Sequence, residues 1–127
     1  MSHPEIFIKE RGKKFDFKID PIEAAKLYRK SAELGNASAC NSVGRIYEEG
    51  NGVEKNFEEA AKWYRKSAEL GNASACNNMG RLYEEGISIK IDFEESIFWY
   101  KRGAELGNGL AIQNLARVYE YGFGKNL

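Results

Sequence analysis

Small and apolar residues along the chain fall three or four positions apart, which is the spacing that places them on one face of a helix. The same face returns at a constant offset of 36 residues. Its members are Ala39, Val43, Ile46 and Tyr47, then Ala75, Met79, Leu82 and Tyr83, then Ala111, Leu115, Val118 and Tyr119. A glycine recurs on these helices at Gly44 and Gly80, with Ala116 in the third copy. Since glycine weakens a helix interior, its recurrence predicts a close approach between two backbones.

The offset reflects a sequence repeat rather than a hydrophobic pattern alone. Shifting residues 21–56 onto residues 57–92 gives 24 identities in 36 positions without a gap. A third, more divergent copy occupies residues 96–122. Self-similarity at one fixed period is the signature of architectures in which each unit packs only on its neighbours.

Each unit carries start and stop signals for two helices. The first, the B helix, is predicted over about 21–34, 57–70 and 93–106. Asp20, Asn56 and Asp92 are good N-caps, and each is followed three residues later by a glutamate. That spacing predicts capping boxes, in which the glutamate accepts from the backbone N–H of the cap residue. The helices stop at glycines suited to a left-handed conformation, namely Gly35, Gly71 and Gly107.

The second helix of each unit, the A helix, begins after an asparagine N-cap and ends before another glycine. The caps are Asn36, Asn72 and Asn108, and the helices run to about Glu49, Glu85 and Tyr121. Such helices are marginal alone in water and become stable by stacking. Residues 1–20 precede the repeat and are predicted to be a capping or flexible segment, either a short hairpin or a stretch along the first B helix. The solenoid is predicted over residues 21–127.

This pattern resembles the Sel-one-like repeat family, which is related to the tetratricopeptide repeat. The family pattern falls on Ala39, Val43, Gly44, Tyr47, Gly50, Gly52, Val53, Asn56, Ala60, Trp63, Tyr64, Lys66, Ser67, Ala68 and Gly71. The resemblance covers roughly 21–124, and it departs from the pattern at Asn56 (usually Asp) and at Ser88 (usually Gly). It implies an all-α fold: a right-handed α/α solenoid of about three 36-residue repeats with six main helices. It also implies work as an adaptor or scaffold through protein–protein contact.

Composition supports a protein partner over other kinds. The chain has 19 basic and 19 acidic residues, so no charge excess favours nucleic acid or a membrane surface. Residues 1–5 lack the features of a secretory signal, and apolar runs are too short to span a membrane. We therefore expect a cytoplasmic protein that binds a protein or an extended peptide.

Residues able to do chemistry are few. His3 is the single histidine, and nothing pairs with it to suggest a metal site, a catalytic set or a cofactor. Cys40 and Cys76 lie one repeat apart with Ile112 in the same column, which predicts buried free thiols and no disulfide. Some secreted, cysteine-rich members of the resembled family have β-lactamase-like activity, but this chain lacks their paired cysteines and any Ser-x-x-Lys motif. We expect no enzyme, with such a hydrolase as a remote alternative.

The candidate binding residues form polar columns on the A helices. Because the resemblance places these helices on a concave groove, we hypothesise partner contacts from Asn41, Arg45, Asn77, Arg81, Gln113 and Arg117. Amides can donate to and accept from a peptide main chain, and arginines can hold carboxylates. Two alternatives stay open: duplication alone generates columns, and Arg45 can pair with Glu48 three residues later.

Two further expectations concern the surfaces of the solenoid. The aromatic residues of the B helices favour inter-repeat core over a binding stripe; they are Tyr28, Trp63, Tyr64, Trp99 and Tyr100. No B helix follows the last A helix, so a monomer or a weak end-to-end homodimer is expected. A dedicated inhibitor or immunity-type partner of one protein remains the alternative function.

Overall fold

The computed structural model describes residues 5–10 and 13–124. At the N-terminal side, strands β1 (Glu5–Glu10) and β2 (Lys13–Lys18) pair antiparallel, with Ile6 opposite Phe17. This segment therefore takes the hairpin form, the first of the two alternatives that its sequence left open.

Six helices of 13 residues follow within the described part of the chain. They are α1 (Pro21–Glu33), α2 (Ala37–Glu49), α3 (Phe57–Glu69), α4 (Ala73–Glu85), α5 (Phe93–Glu105) and α6 (Gly109–Tyr121). Helices α1, α3 and α5 are the B helices, and α2, α4 and α6 are the A helices. Each packs on the next along the chain, and α4 also contacts α6. The predicted all-α helical repeat fold is confirmed.

The helix ends lie where the capping residues predicted them. Asp20 Oδ1 accepts from the backbone N–H of Glu23 at 3.1 Å, and Asn36 Oδ1 accepts from that of Ala39 at 2.8 Å. Gly35 has a φ of +94°, a left-handed conformation that favours glycine. The equivalent cap bonds recur in both later repeats.

The capping boxes, however, are wrong at two of the three B helices. The backbone N–H of Asn56 donates to the carbonyl of Tyr47 at 3.0 Å, and that of Asp92 donates to the carbonyl of Tyr83 at 3.1 Å. The loop brings each cap back beside the preceding A helix, so a backbone carbonyl takes the place expected for the glutamate side chain.

The core forms where each B helix packs on the A helix before it. Tyr64 and Tyr100 are among its largest fully buried side chains. The Tyr64 ring lies against Gly44 so closely that a Cβ at residue 44 would be 2.5 Å from Cδ1 of the ring. Gly80 stands in the same relation to Tyr100. The recurrent glycine thus admits an aromatic ring and not a second backbone, contrary to the sequence prediction.

This contact predicts that Gly80→Ala lowers the free energy of unfolding by about 1–2 kcal/mol. Overpacking a buried site costs about 1–3 kcal/mol, and the better helix propensity of alanine returns up to about 1 kcal/mol. Urea unfolding monitored by circular dichroism measures the difference. Gly109→Ala is the matched control, since no atom lies within 4 Å of a Cβ at that position. Equal effects at both glycines would contradict the account.

The loop after α4 carries a strained residue. Ser88 has a φ of +58°, whereas its counterpart one repeat earlier is Gly52, with a φ of +83°. A left-handed conformation costs a non-glycine residue about 1–2 kcal/mol, and glycine loses about 0.5–1 kcal/mol through backbone entropy.

We therefore expect Ser88→Gly to raise the free energy of unfolding by up to about 1 kcal/mol. Ser38→Gly, at an exposed helical position, serves as the control and should lower it. Thermal melts of the two variants measure both effects. A Ser88→Gly protein less stable than wild type would show that the serine is not strained.

Candidate functional site

A glutamate near the end of α2 joins three consecutive helices. Glu48 Oε1 accepts from the Tyr64 hydroxyl on α3 at 2.7 Å. The same oxygen accepts from Arg81 Nη2 on α4 at 2.8 Å. Charge-assisted bonds of this kind are stronger than neutral ones. We call this Glu–Tyr–Arg unit a carboxylate tie.

The next repeat contains a second carboxylate tie. Glu84 Oε1 accepts from the Tyr100 hydroxyl and from Arg117 Nη2, both at 2.7 Å. Its other oxygen accepts from the backbone N–H of Gly124 at 3.0 Å. Only 6% of the Glu84 side chain and 14% of the Arg117 side chain are exposed. The second tie is therefore the more deeply buried one.

Both carboxylates are held in the ionised form. Burial alone raises the pKa of the Glu84 carboxyl, but hydrogen bonds from Arg117, Gly124 and Tyr100 outweigh it and lower that pKa below the ordinary value. The pKa of Glu48 is lowered in the same way, with Arg81 and Tyr64 outweighing burial.

The phenols of the ties shift in the opposite direction. Burial, and then the hydrogen-bonded carboxylates, raise the pKa values of Tyr64 and Tyr100. Each tie therefore joins an anion, a cation and a neutral phenol.

The ties show where the predicted arginine column lies. Arg81 and Arg117 are occupied by glutamates of the preceding repeat, at a distance in sequence that local spacing does not reveal. Arg45 differs: its Nη1 lies 3.7 Å from Glu49 Oε1, and 53% of its side chain is exposed. The alternative that Arg45 pairs with Glu48 is therefore wrong. Arg45 lies beside Glu49 instead, because Glu48 is bonded to α3 and α4.

The predicted amide column is joined by a second column that the sequence analysis missed. Asn41 Oδ1 accepts from Asn78 Nδ2 at 2.9 Å, and Asn77 Oδ1 accepts from Asn114 Nδ2 at 2.8 Å. Asn77 is buried, and Gln113 is exposed. We call this set of bonds between A helices the amide ladder. Its signal in the sequence was the second amide following directly after the first, at residues 77–78 and 113–114.

The amide ladder fixes which way the side chains point. The side-chain oxygens of Asn41 and Asn77 accept the hydrogen bonds of the ladder. Their Nδ2 groups are the remaining donors, and neither donates to a partner within the described ranges. Of the six predicted site residues, the structure brings Asn41, Asn77 and the last two arginines into inter-repeat contacts. Arg45 and Gln113 lie outside the ladder and the ties.

Most of the B-helix aromatic residues are core, as predicted. Tyr64, Trp99 and Tyr100 are buried, and Trp63 is half-buried beside the guanidinium of Arg29. The prediction is wrong for Tyr28, which is 43% exposed, because no A helix packs on this side of α1 among residues 13–124.

The two cysteines are free and buried, as expected. The Cys40 thiol points to the carbonyl of Ala32 at 3.6 Å. Burial raises the pKa of both thiols, which disfavours the nucleophilic thiolate. Over the described residues, no group of three or more His, Cys, Asp or Glu side chains could hold a metal ion. Nor is any helix there long and apolar enough to cross a bilayer.

Comparison with known proteins connects this geometry to a family. The model of the Sel1 repeat matches residues 9–36, 37–72, 73–108 and 109–126. The chain belongs to the Sel1 repeat family. The two complete family repeats each start with an A helix, so α1 and α6 belong to the partial matches at either side. A comparison with curated protein sequences gives no match.

Solved structures of Sel1 repeat proteins share the fold. A Sel1 repeat protein from Oxalobacter formigenes is 40% identical with a TM-score of 0.78, and covers 84% of this chain. The antigen c5321 of uropathogenic Escherichia coli, which has an SLR fold, is 36% identical with a TM-score of 0.78, and covers 83%. The chain spans 43% and 22% of the lengths of these two structures.

The Helicobacter pylori cysteine rich protein B is more distant in sequence. It is 24% identical with a TM-score of 0.72, and the match covers 76% of this chain and 73% of that one. At this level the similarity concerns the fold.

The lowered pKa of Glu84 gives a prediction for acid stability. A carboxyl whose pKa is lower in the folded state contributes stability above its unfolded pKa of about 4.3, and loses it as the pH falls through the folded value. We expect the stability of the wild type to fall steeply below about pH 4.

Glu84→Gln should weaken that acid dependence and lower stability at neutral pH by more than about 1 kcal/mol, because Arg117 loses its anion. Urea unfolding over a pH series measures both quantities. Glu105→Gln removes an exposed glutamate and is the control. An unchanged acid profile in Glu84→Gln would show that the tie does not carry the dependence.

Proposed function

We propose that this chain is a protein-interaction scaffold that holds an extended peptide or protein segment along a concave surface formed by the A helices. Sel1 repeat proteins are generally protein–protein interaction scaffolds. The contact between α4 and α6, with no comparable contact between α3 and α5, supports an inner position for the A helices. The proposed contact residues are Asn41, Arg45, Asn77, Arg81, Gln113 and Arg117.

The amide ladder is the observation that carries the proposal. With the amide oxygens of Asn41 and Asn77 bonded to the next A helix, their N–H groups remain for a ligand. Because the ladder has already ordered these side chains, a ligand loses little further entropy in binding them. Gln113 continues the same column on α6.

The spacing of the ladder favours a peptide in the polyproline II conformation. Neighbouring packed helices lie about 8–10 Å apart. A polyproline II helix has three residues per turn and rises about 9.3 Å in that turn. Every third carbonyl of such a peptide therefore faces the same side at about the spacing of the rungs, and each can accept from one amide.

The arginines add charge to this surface in two different ways. Arg81 and Arg117 are held in place by their ion pairs with Glu48 and Glu84, so they lie at the edge of the proposed surface in fixed orientations. Arg45 is half-exposed, and among the described residues its ionic contact is a long one with Glu49. It is the arginine best placed to bind a carboxylate of the ligand, near the α2 end of the groove.

Affinity capture from cell extract, read by mass spectrometry, tests the proposal with two double variants. Asn41→Ala/Asn77→Ala removes the proposed donors, and we expect a captured partner to bind about 10–100-fold more weakly, at roughly 1 kcal/mol for each lost hydrogen bond. Dissociation constants for the purified partner measure the change.

The control is Asn78→Ala/Asn114→Ala. It breaks the same bonds between A helices but leaves the side chains of Asn41 and Asn77 in place. We expect it to lose stability to a similar degree but to lose less affinity than the first variant, because the amides that donate to the ligand are still present although no longer ordered by the ladder. Equal loss of binding in both double variants would show that the amides act only in folding, and unchanged binding in the first would refute the proposed site.

A further inference from the structure

One side of α1 presents a surface that the later B helices bury. Ala60 and Tyr64 on α3 are 1% and 2% exposed, because α2 packs on them. Their counterparts on α1, Ala24 and Tyr28, are both exposed, Tyr28 to 43%. We call this side of α1, with the adjoining edge of α2, the end surface.

An open groove of about 500 Å³ lies on the end surface between α1 and α2. Leu27, Tyr28 and Ser31 line it from α1, and Ser38 and Ser42 line it from α2. The groove thus combines apolar wall with hydroxyl groups, as expected where a helix from another unit would pack.

The surfaces of α3 and α5 that correspond to the end surface are both occupied within this chain. On α3 and α5 it is an A helix, which presents a glycine to the tyrosine ring and a glutamate four residues later to the tyrosine hydroxyl. That glutamate also accepts from the arginine of the following A helix. The occupant is therefore defined by the short pattern Gly-x-x-x-Glu, found at 44–48 and 80–84.

The end surface has the donors for this pattern, but within residues 13–124 no glutamate accepts from the Tyr28 hydroxyl. The Tyr28 hydroxyl has no hydrogen-bond partner within residues 13–124. Arg45 is the counterpart of Arg81 and Arg117, yet within the same range its ionic contact is with Glu49 on its own helix, at 3.7 Å. Tyr28 lines the groove, and Arg45 occupies the repeat position whose later counterparts bind the carboxylate. The end surface therefore has charge complementarity toward an acidic side chain at this position.

We propose that the end surface binds an amphipathic helix of a partner protein that carries Gly-x-x-x-Glu. The glycine lies against the Tyr28 ring, and the glutamate accepts from the Tyr28 hydroxyl and from the Arg45 guanidinium. This is a helix-in-groove interaction that shares Arg45 with the proposed peptide surface but uses none of the amides of the ladder.

A second copy of the chain does not supply this helix. Helices α2 and α4 carry the pattern but are covered by α3 and α5. Helix α6 has Glu120 in register but Ala116 in place of the glycine. A Cβ at the equivalent positions of α2 and α4 would lie 2.5 Å from the tyrosine ring. End-to-end packing in the register of the repeat would therefore clash, which favours the monomer of the two expected oligomeric states.

A peptide copied from α2 provides the probe. It comprises residues 37–56 of this sequence, acetylated, fluorescently labelled, and held helical by a staple between positions 45 and 49, which are both exposed in α2. We expect saturable binding to the whole protein by fluorescence anisotropy. Gly44→Val or Glu48→Gln in the peptide, and Tyr28→Phe in the protein, should each weaken it by about tenfold or more.

Matched controls separate this surface from the others. Tyr119→Phe alters an exposed tyrosine on α6 and should leave peptide affinity unchanged. The Asn41→Ala/Asn77→Ala variant should also bind the peptide normally, so the two proposals fail independently. An affinity that is unchanged by Gly44→Val in the peptide, or the absence of saturable binding, would overturn the inference.

Two further outcomes would assign the end surface to another occupant. A photo-crosslinking amino acid at Leu27, in the protein without peptide, should give little product; high-yield crosslinks to residues 1–16 of the same chain would overturn the inference. Light scattering should give a monomer mass over a concentration series. Oligomers that dissociate in Glu120→Gln would assign the surface to a second copy instead.

Discussion

The rest of this fold depends on the bonds that a glutamate near the end of an A helix makes to a tyrosine and an arginine of the next two helices. This glutamate is partly buried in the first repeat, as Glu48, and buried in the second, as Glu84. Its geometry needs a glycine four residues earlier, since only there can the tyrosine ring lie close enough for its hydroxyl to reach the carboxylate. The carboxylate tie therefore depends on a residue without a side chain at the position four residues before the glutamate. Removing one partner would leave a buried charge, which is far more costly than losing an exposed pair.

The same contact also aligns the surface that we propose for binding. Each tie brings the arginine of the next A helix against the glutamate of the preceding one, so adjacent A helices are aligned side by side. In that alignment Asn78 meets Asn41, and Asn114 meets Asn77. The amides that we assign to a ligand are thus oriented by the packing that stabilises the solenoid. The packing that forms the core therefore also orders the proposed binding surface before any ligand is bound.

The positions of the helices could be predicted from the sequence, but the hydrogen-bond partners of several side chains could not. Caps such as Asp20 and Asn36 and stop residues such as Gly35 act within a few residues, so local spacing predicts them. The partner of Arg81 is Glu48, 33 positions away, whereas local rules favour a neighbour on the same helix. The capping boxes failed for a related reason: packing brought a backbone carbonyl closer than the expected glutamate.

Tyr28 shows a second limit of sequence analysis. Residues 28–41 and 64–77 are identical in sequence, yet Tyr64 is buried and Tyr28 is exposed. Nothing local distinguishes them, because burial depends on which helix lies alongside. The difference between Gly80 and Ala116 works in the opposite sense: a single methyl group decides whether an A helix can accept a following tyrosine. The two faces of a repeat therefore have different roles in packing. The B-helix face donates hydrogen bonds from its tyrosine, whereas the residue at the position of Gly80 on the A-helix face determines whether a tyrosine ring can pack there.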